Sequence, residues 1–204
     1  MKPKVLGLYG SPRKGGNTAL LLDEFIKGAE SAGAASEKVL LAYSNITPCL
    51  EYMVCAKKGE CSIQDGMTPL YQKLMEADLI ALASPIFFYG VTAQTKALID
   101  RCQAFWARKY LLKNKFTGSR VHKSTSKRKG FFISVAATKG EKVFDGALLT
   151  VRYFFDVLNC EYAGNLLFRE IDIKGAIKKH PTALREAYDA GKKLVTADLA
   201  DYTD

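Results

Sequence analysis

The sequence is poor in histidine and has no long apolar run. Only two of its 204 residues are histidine. We expect both at the surface, because His122 lies in a basic stretch and His180 precedes a proline at the start of a helix, and we predict no acid–base triad. The first apolar run, within MKPKVLGLYGS, is too short for the core of a signal peptide or for a membrane span. The chain is therefore predicted to be cytoplasmic.

The sequence also lacks internal repeats and any linker-like stretch. Its composition, 48% hydrophobic and 25% charged, is that of an ordinary globular protein, and its length suffices for one sizeable core. We therefore predict a single domain over residues 1–204. Five cysteines, an odd number in a cytoplasmic chain, favour free thiols, metal ligands or redox groups over a disulfide framework.

Acidic residues are absent between Cys102 and Lys129, although this segment carries nine of the 30 lysines and arginines. The net charge of +9 therefore comes from one segment and is a local feature of the surface. Residues 106–129 are long for a connection between a helix and a strand, so we interpret them as a basic insertion, either functional or a solvated loop. Its basic residues are Arg108, Lys109, Lys113, Lys115, Arg120, Lys123, Lys127, Arg128 and Lys129.

The sequence does contain a regular alternation of strand and helix patterns. Its apolar runs are continuous, as in strands that helices cover on both faces. Five strand–helix units predict one doubly wound α/β domain, whose ligands bind beyond the carboxyl ends of the strands. The predicted strands are 4–9, 37–42, 77–84, 130–136 and 161–168, and the predicted helices are 17–32, 68–76, 92–105, 143–158 and 181–200.

The first loop at these strand ends is GSPRKGGNT, residues 10–18, which leads directly into a helix. Free backbone N–H groups and the helix dipole favour an anion at such an N-terminus, and the loop adds hydroxyl, amide and cationic donors. A Walker A loop would place Lys at position 16 and Ser or Thr at 17, where the sequence has Gly16 and Asn17. The loop also does not match the dinucleotide-binding pattern G-x-G-x-x-G, and there is no acid near Tyr43 to bind a ribose. The loop predicts a site for a terminal phosphate monoester; a glycine-rich turn with an N-cap is the alternative.

The second and third loops carry different chemistry. Residues 84–101, SPIFFYGVTAQTKALIDR, place four bulky residues where loops are normally polar, which suggests a flat apolar ligand, a subunit interface or core packing. The third loop, residues 137–140, offers backbone N–H groups, a hydroxyl and a cation that could face the same ligand.

Together these motifs resemble a known family. GSPRKGGNT, the cysteine cluster CLEYMVCAKKGEC, SPIFFYGVTAQTKALIDR and a strand ending in ATKG occur in the order found in flavodoxin-like NAD(P)H-dependent FMN reductases, within them the iron–sulfur flavoprotein branch. The resemblance covers nearly the whole chain. It implies a five-stranded parallel sheet of order 2-1-3-4-5, bound FMN, NAD(P)H as co-substrate and a homodimer or tetramer.

The resemblance also implies roles for residues of the three loops. Those implied to hold the FMN phosphate are Ser11, Arg13, Asn17 and Thr18, with Gly16 in the same loop. Those implied to line the isoalloxazine ring are Pro85, Ile86, Phe87, Phe88 and Gly90, and those near its polar edge are Thr138 and Gly140. Thr138 and Lys139 are the candidate flavin-tuning groups, and no other catalytic residue is predicted.

Three cysteines fall within thirteen residues. The iron–sulfur branch has a similar C-x2-C-x2-C-x5-C array, whose thiolates surround a cubane cluster. Cys49, Cys55 and Cys61 occupy its first, third and fourth positions, but Tyr52 occupies the second, and a phenolate is a poor substitute for a thiolate. A [4Fe–4S] cluster is therefore not favoured. Three other roles remain open for these cysteines. They could bind another metal, act as redox-active or disulfide-forming thiols, or pack as small apolar side chains.

Two functions from different classes fit these expectations. The first is an FMN-dependent NAD(P)H oxidoreductase that passes electrons to a small acceptor such as a quinone or a flavin. The second is an electron carrier that takes electrons from a protein such as ferredoxin, with a cluster at the cysteines. We expect lysines and arginines of the basic insertion to lie over the flavin, of the same or a neighbouring subunit, and attract the 2′-phosphate of NADPH or an acidic acceptor. Nucleic acid or an anionic membrane surface is the competing use.

Overall fold

The computed structural model describes residues 2–113 and 127–200. Its five strands form one parallel sheet in the order β2-β1-β3-β4-β5, which confirms the predicted flavodoxin-like topology. The strands are β1 (Lys4–Tyr9), β2 (Ala35–Leu40), β3 (Leu79–Ala83), β4 (Lys129–Val135) and β5 (Glu161–Phe168). The α-helices are α1 (Asn17–Ser31), α2 (Val54–Lys58), α3 (Thr68–Glu76), α4 (Ala93–Arg101), α5 (Gln103–Trp106), α6 (Asp145–Val157) and α7 (Ala183–Ala200).

Helices cover both faces of the sheet, as the continuous apolar runs require. One face packs against α1 and α7, and alternate residues of the central strands, such as Ala81 and Ile133, point into this core. The opposite face packs against α3, α4, α5 and α6, with Leu82 and Phe132 on that side. Each central strand therefore contributes apolar side chains to two cores, which explains why its sequence does not alternate.

The predicted elements agree closely with those of the structure, with three differences. The second strand begins and ends two residues earlier than predicted, because Leu41–Tyr43 form a 3-10 turn. The predicted helix over 92–105 is divided into α4 and α5 and followed by a π-helical turn at Ala107–Leu111. The short helix α2 within the cysteine segment had no clear signal in the sequence.

The basic insertion leads into the amino end of the sheet. Lys127, Arg128 and Lys129 lie just before or at the start of β4, whereas the carboxyl ends of the strands lie at the opposite edge. Residues 114–126, with His122 and most of the predicted insertion, lie outside the described residues. In the described part of the chain, no helix has the length and apolar character to cross a membrane.

Candidate functional site

Helix α1 presents open backbone donors at the carboxyl edge of the sheet. In the part of the chain that the structure describes, no side chain caps its N-terminus at Gly16, and its first turn contains no acid. The leading N–H groups of a 15-residue helix are thus left for an external acceptor. The loop before it folds closely around Gly16. A Cβ on Gly16 would lie 3.2 Å from both the Ser11 hydroxyl and the Arg13 carbonyl. An anion with several oxygens fits this cradle.

Asn17 contributes to the cradle through its backbone. Its side-chain amide is engaged with the loop before α7: Nδ2 donates to the Ile173 carbonyl at 3.0 Å, and Oδ1 accepts from the Ile177 N–H at 3.3 Å. The implied role of this side chain as a phosphate ligand therefore does not match its contacts. It instead fixes the loop that follows β5 beside the first loop.

Buried hydroxyls connect the first loop to the second. Thr92 Oγ1 donates to the Gly10 carbonyl at 2.6 Å, and the Gly10 N–H donates to the Ala83 carbonyl at 2.7 Å. Ser84 Oγ accepts from the Thr92 N–H at 3.1 Å. A Cβ on Gly10 would lie 2.0 Å from Thr95 Oγ1, so only glycine permits this approach. The two loops consequently form one rigid unit.

The second loop contains a strained hairpin turn at residues 87–90. Phe87 and Gly90 exchange two backbone hydrogen bonds of 2.9 and 3.0 Å, and the central residues Phe88 and Tyr89 have φ of 48° and 61°. Positive φ at both central positions is the type I′ geometry, which Asn-Gly normally supplies. A bulky residue in this region costs about 1–2 kcal/mol. Strain of this kind is typical of functional loops.

A cavity of about 90 Å³ lies between these loops at the carboxyl edge. The structure brings most of the predicted cofactor residues to its wall. Those of the first two loops are Ser11, Arg13, Gly16, Asn17, Thr18, Pro85, Ile86 and Phe87. Its size suits the phosphate group of a ligand. A flat ring attached to that phosphate would lie on the open outer side of the loops. The predicted phosphate and ring loops therefore meet at one site.

The loop after β5 supplies residues that sequence reasoning missed. Ile171, Asp172 and Lys174 line the same cavity. Arg169 donates from Nε to the Gly140 carbonyl at 3.1 Å and from Nη2 to the Glu141 carbonyl at 2.8 Å, which holds the third loop in place. The rule that ligands bind beyond strand carboxyl ends, applied to β5, would have found them.

Five predicted residues do not line this cavity. Phe88 and the third-loop residues Thr138 and Lys139 are exposed to solvent, whereas Ala137 is the third-loop residue at the wall. Gly90 closes the hairpin turn. Gly140 lies beside the Tyr89 ring, since a Cβ there would be 4.0 Å from the tyrosine hydroxyl.

Among the described basic residues of the insertion, Lys127, Arg128 and Lys129 lie at the amino edge of the sheet and do not line the cavity at its carboxyl edge. Arg128 instead joins elements at the amino edge: Nε donates to the Ala77 carbonyl at 2.8 Å, Nη1 to the Leu158 carbonyl at 2.7 Å, and Nη2 to the Leu74 carbonyl. Its guanidinium is thus used to hold α3, α6 and β4 together.

The sequence from residue 3 to residue 156 matches the model of the NADPH-dependent FMN reductases. The chain belongs to this family. The phosphate cradle and the aromatic turn described above both lie within the matched residues.

Similar proteins of this family include two archaeal iron–sulfur flavoproteins. One, of Methanocaldococcus jannaschii, is 42% identical over 98 residues, which are 48% of this chain and 51% of that protein. Another, of Archaeoglobus fulgidus, is 41% identical over 118 residues, which are 58% of this chain and 53% of that protein. The matches thus span about half the length of these relatives.

A solved structure shows the same fold at low sequence identity. The NAD(P)H:quinone oxidoreductase of Methanothermobacter marburgensis superposes with a TM-score of 0.66 at 17% identity, over 95% of this chain and 98% of that one. This agreement extends the likeness beyond the residues that the sequence alignments cover.

The cysteine segment lies against a second and larger cavity of about 720 Å³. Cys49, Cys55 and Cys61 line it together with Cys102, which the fold brings to the wall although it is distant in sequence. Burial, with the charge of the Cys61 and Cys49 thiolates, raises the pKa of the Cys55 thiol. Burial is the main cause that raises the pKa of the Cys102 thiol well above its usual value, and the neighbouring Arg101 charge opposes it. Cys160, the other buried thiol, does not line this cavity.

The donor set around this cavity does not complete a four-thiolate cluster site. Tyr52 at the second motif position is 64% exposed. Across residues 2–113 and 127–200, no three or more His, Cys, Asp or Glu side chains surround a common ion position. We derive no step through an iron–sulfur cluster.

A buried ion pair holds the cysteine segment to α4. Arg101 donates to the Asp65 carboxylate at 2.7 and 3.2 Å and to the carbonyls of Thr47 and Ile63 at 2.8 and 3.0 Å. Its side chain is 0% exposed and that of Asp65 is 7% exposed. Cys61 interacts electrostatically with this guanidinium. The arginine therefore fixes both ends of the segment that carries the thiols.

Proposed function

We propose that this chain is an FMN-dependent NAD(P)H oxidoreductase that passes electrons to a small acceptor. The single observation that carries the proposal is the uncapped N-terminus of α1, which opens into the same cavity as Pro85, Ile86 and Phe87. A phosphate and a flat apolar ring are the two parts of FMN, and these loops supply a complement to each. The family and the quinone-reducing structural neighbour support the same activity.

FMN, when bound, would accept a hydride from a nicotinamide and pass electrons onward. The residues of the chain would bind and orient it. The Ser11 and Thr18 hydroxyls, the Arg13 cation and the N–H groups of α1 would hold the phosphate. The apolar side chains of the second loop would exclude water from one side of the ring.

The third loop would supply charge stabilisation at the polar edge of the ring. Donors near Thr138 and Lys139 would stabilise negative charge there, and Arg169 keeps this loop in position through two carbonyls. We propose a homodimer or tetramer, in which a partner would close the open side of the site. The exposed side chains of Phe87, Phe88 and Tyr89 support this proposal.

The test is a visible spectrum of the anaerobically purified protein, followed by addition of NADPH or NADH. We expect the spectrum of flavin without that of a cluster, and loss of the flavin absorbance when the nucleotide is added. Colourless protein that takes up no FMN would contradict the proposal.

The second candidate is an electron carrier with a protein donor. The four thiols at the wall of the larger cavity are the observation that favours it. Flavin that is reduced by ferredoxin but by neither nucleotide, together with four irons per chain, would establish this candidate and overturn the first.

A further inference from the structure

The larger cavity gives small molecules access to three thiols. Cys49, Cys55 and Cys61 all line this cavity of about 720 Å³. Sites for small molecules typically have volumes of about 300–1,000 Å³. Cys49 is exposed, and Cys55 and Cys61 are partly exposed. Cys102 also lines the cavity, but only 1% of its surface is exposed, so the accessible thiols are those of the cysteine segment.

The turn after α2 brings Cys61 back towards Cys55. Cys55 lies in α2, and the Gly59 N–H donates to the Cys55 carbonyl at 2.8 Å, which closes the last turn of this helix. Gly59 has a φ of 71°, the left-handed conformation in which glycine commonly ends a helix. Arg108 holds the turn, because its Nε donates to the Gly59 carbonyl at 2.6 Å. Cys61 follows on the same cavity wall as Cys55.

Electrostatic interactions show which thiols are neighbours. Burial is the main cause that raises the pKa of Cys55, and the charges of Cys61 and then Cys49 raise it further. Of the two, Cys61 therefore has the stronger effect on Cys55. Geometry and electrostatics both select Cys55 and Cys61 as the closest pair of accessible thiols.

A buried cation lies beside this pair. The side chain of Arg101 is fully buried and interacts electrostatically with Cys61. Its terminal nitrogens donate four hydrogen bonds, but its Nε has no hydrogen-bond partner among the described residues. A buried donor of this kind calls for an acceptor, and the Cys61 sulfur is available to it. Positive charge there favours the thiolate, the form in which a cysteine attacks a disulfide.

We propose that Cys55 and Cys61 are a redox-active pair that exchanges with low-molecular-weight disulfides entering the larger cavity. The Cys61 thiolate attacks one sulfur of the small disulfide, forms a mixed disulfide and releases one thiolate. Cys55 then attacks the Cys61 sulfur, loses its proton to solvent and releases the second thiolate. The chain is thereby oxidised to an intramolecular disulfide, and the small disulfide is reduced to two thiols.

This exchange needs no electron from FMN, so it stands apart from the proposed oxidoreductase function. It also gives the cysteine segment a chemistry that fits its donor set. A dithiol pair needs two neighbouring cysteines, whereas a four-thiolate cluster would need a ligand at the position of Tyr52.

The test is oxidation of the reduced full chain with glutathione disulfide, followed by mass spectrometry. We expect the intact chain to lose two hydrogen atoms and to regain them with dithiothreitol. Trypsin cuts after Lys57 and separates Cys55 from Cys61, and cleavage after Glu51 separates Cys55 from Cys49. The oxidised chain should therefore yield two peptides joined through Cys55 and Cys61.

Serine variants separate the two steps. The matched control Cys49→Ser removes the third accessible thiol and should form the same disulfide at an unchanged rate. Cys49→Ser/Cys55→Ser should stop at the mixed disulfide and retain glutathione on Cys61. The natural chain unfolded in urea should lose the selectivity and form links through Cys49 as well, because the fold no longer positions the pair.

Several results would overturn the inference. Glutathione that stays on the folded natural chain, a dominant link through Cys49, or the same mixture of links in folded and unfolded chains would show that the pair is not positioned. Bound iron and sulfide that protect the thiols until the metal is removed would show that the cysteines are cluster ligands instead. Absence of flavin binding or of flavin reduction would change none of these readouts, so failure of the proposed function is distinguishable.

Discussion

Asp65 forms an ion pair with the fully buried guanidinium of Arg101. Its carboxylate is buried and desolvated, which opposes ionisation, but the bonds from Arg101 and from the Thr47 and Met67 N–H groups lower its pKa to about 2. Its pKa in the unfolded chain is about 3.9. Because the folded pKa is lower, the stability from this carboxylate is complete above about pH 4 and is lost as the pH falls towards 2.

We predict that Asp65→Asn lowers the free energy of unfolding by about 3–5 kcal/mol, because it leaves a buried arginine charge without its partner. Urea unfolding at neutral pH measures this change. The matched control is Asp100→Asn, which breaks an exposed pair between Lys96 and Asp100 at 2.7 Å and should cost about 0.5 kcal/mol or less. Similar losses in the two variants would show that the buried pair has no special role.

At the scale of elements, the hairpin turn at Phe88 and Tyr89 has a backbone conformation that lowers stability but gives the site its shape. We predict that Phe88→Asn/Tyr89→Gly raises the free energy of unfolding by about 1–2 kcal/mol, since Asn-Gly favours the type I′ turn. The same variant should bind FMN more weakly, because it removes two exposed aromatic side chains next to Phe87, which lines the cavity. Thermal unfolding and FMN titration of one preparation measure both effects.

Asn45 provides the control for this turn. It also has positive φ, at 48°, but asparagine tolerates this conformation. Asn45→Gly should therefore change stability by only a few tenths of a kcal/mol. A double turn variant that unfolds more easily than the natural chain would show that Phe88 and Tyr89 make compensating contacts.

The elements show how much the sequence determines by itself. The bounds of β1, α3 and β5 were predicted correctly because each is a short pattern between clear turn residues. The break between α4 and α5 was missed, because its apolar pattern continues through the break. The position of the first loop directly before α1 was also predictable, since glycines beside a helix start have a local signature.

Long-range contacts explain what the sequence could not predict. The bond between Thr92 and Gly10 joins residues 82 positions apart, and that between Asn17 and Ile173 joins residues 156 positions apart. Side chains in such contacts carry no local pattern. The sequence placed Asn17 at the first loop. It could not show the partner of the Asn17 side-chain amide, because that partner is distant in the sequence.

At the scale of the whole molecule, the two edges of the sheet have separate roles. The carboxyl edge gathers the phosphate loop, the aromatic turn and the loop after β5 around one cavity. Arg128, at the amino edge, is used for packing instead. Positive charge near the start of β4 is therefore distant from the predicted redox centre within one chain.

The central claim is that the uncapped start of α1 binds the phosphate of FMN. Titration of the apoprotein with FMN and with riboflavin, followed by flavin fluorescence, tests it most directly, because the two ligands differ by that phosphate. Because several charge-assisted hydrogen bonds would form at the cradle, we predict that FMN binds about 100-fold or more tightly than riboflavin. The variant Arg13→Ala should reduce this ratio of affinities. Equal affinity for the two flavins would contradict the account.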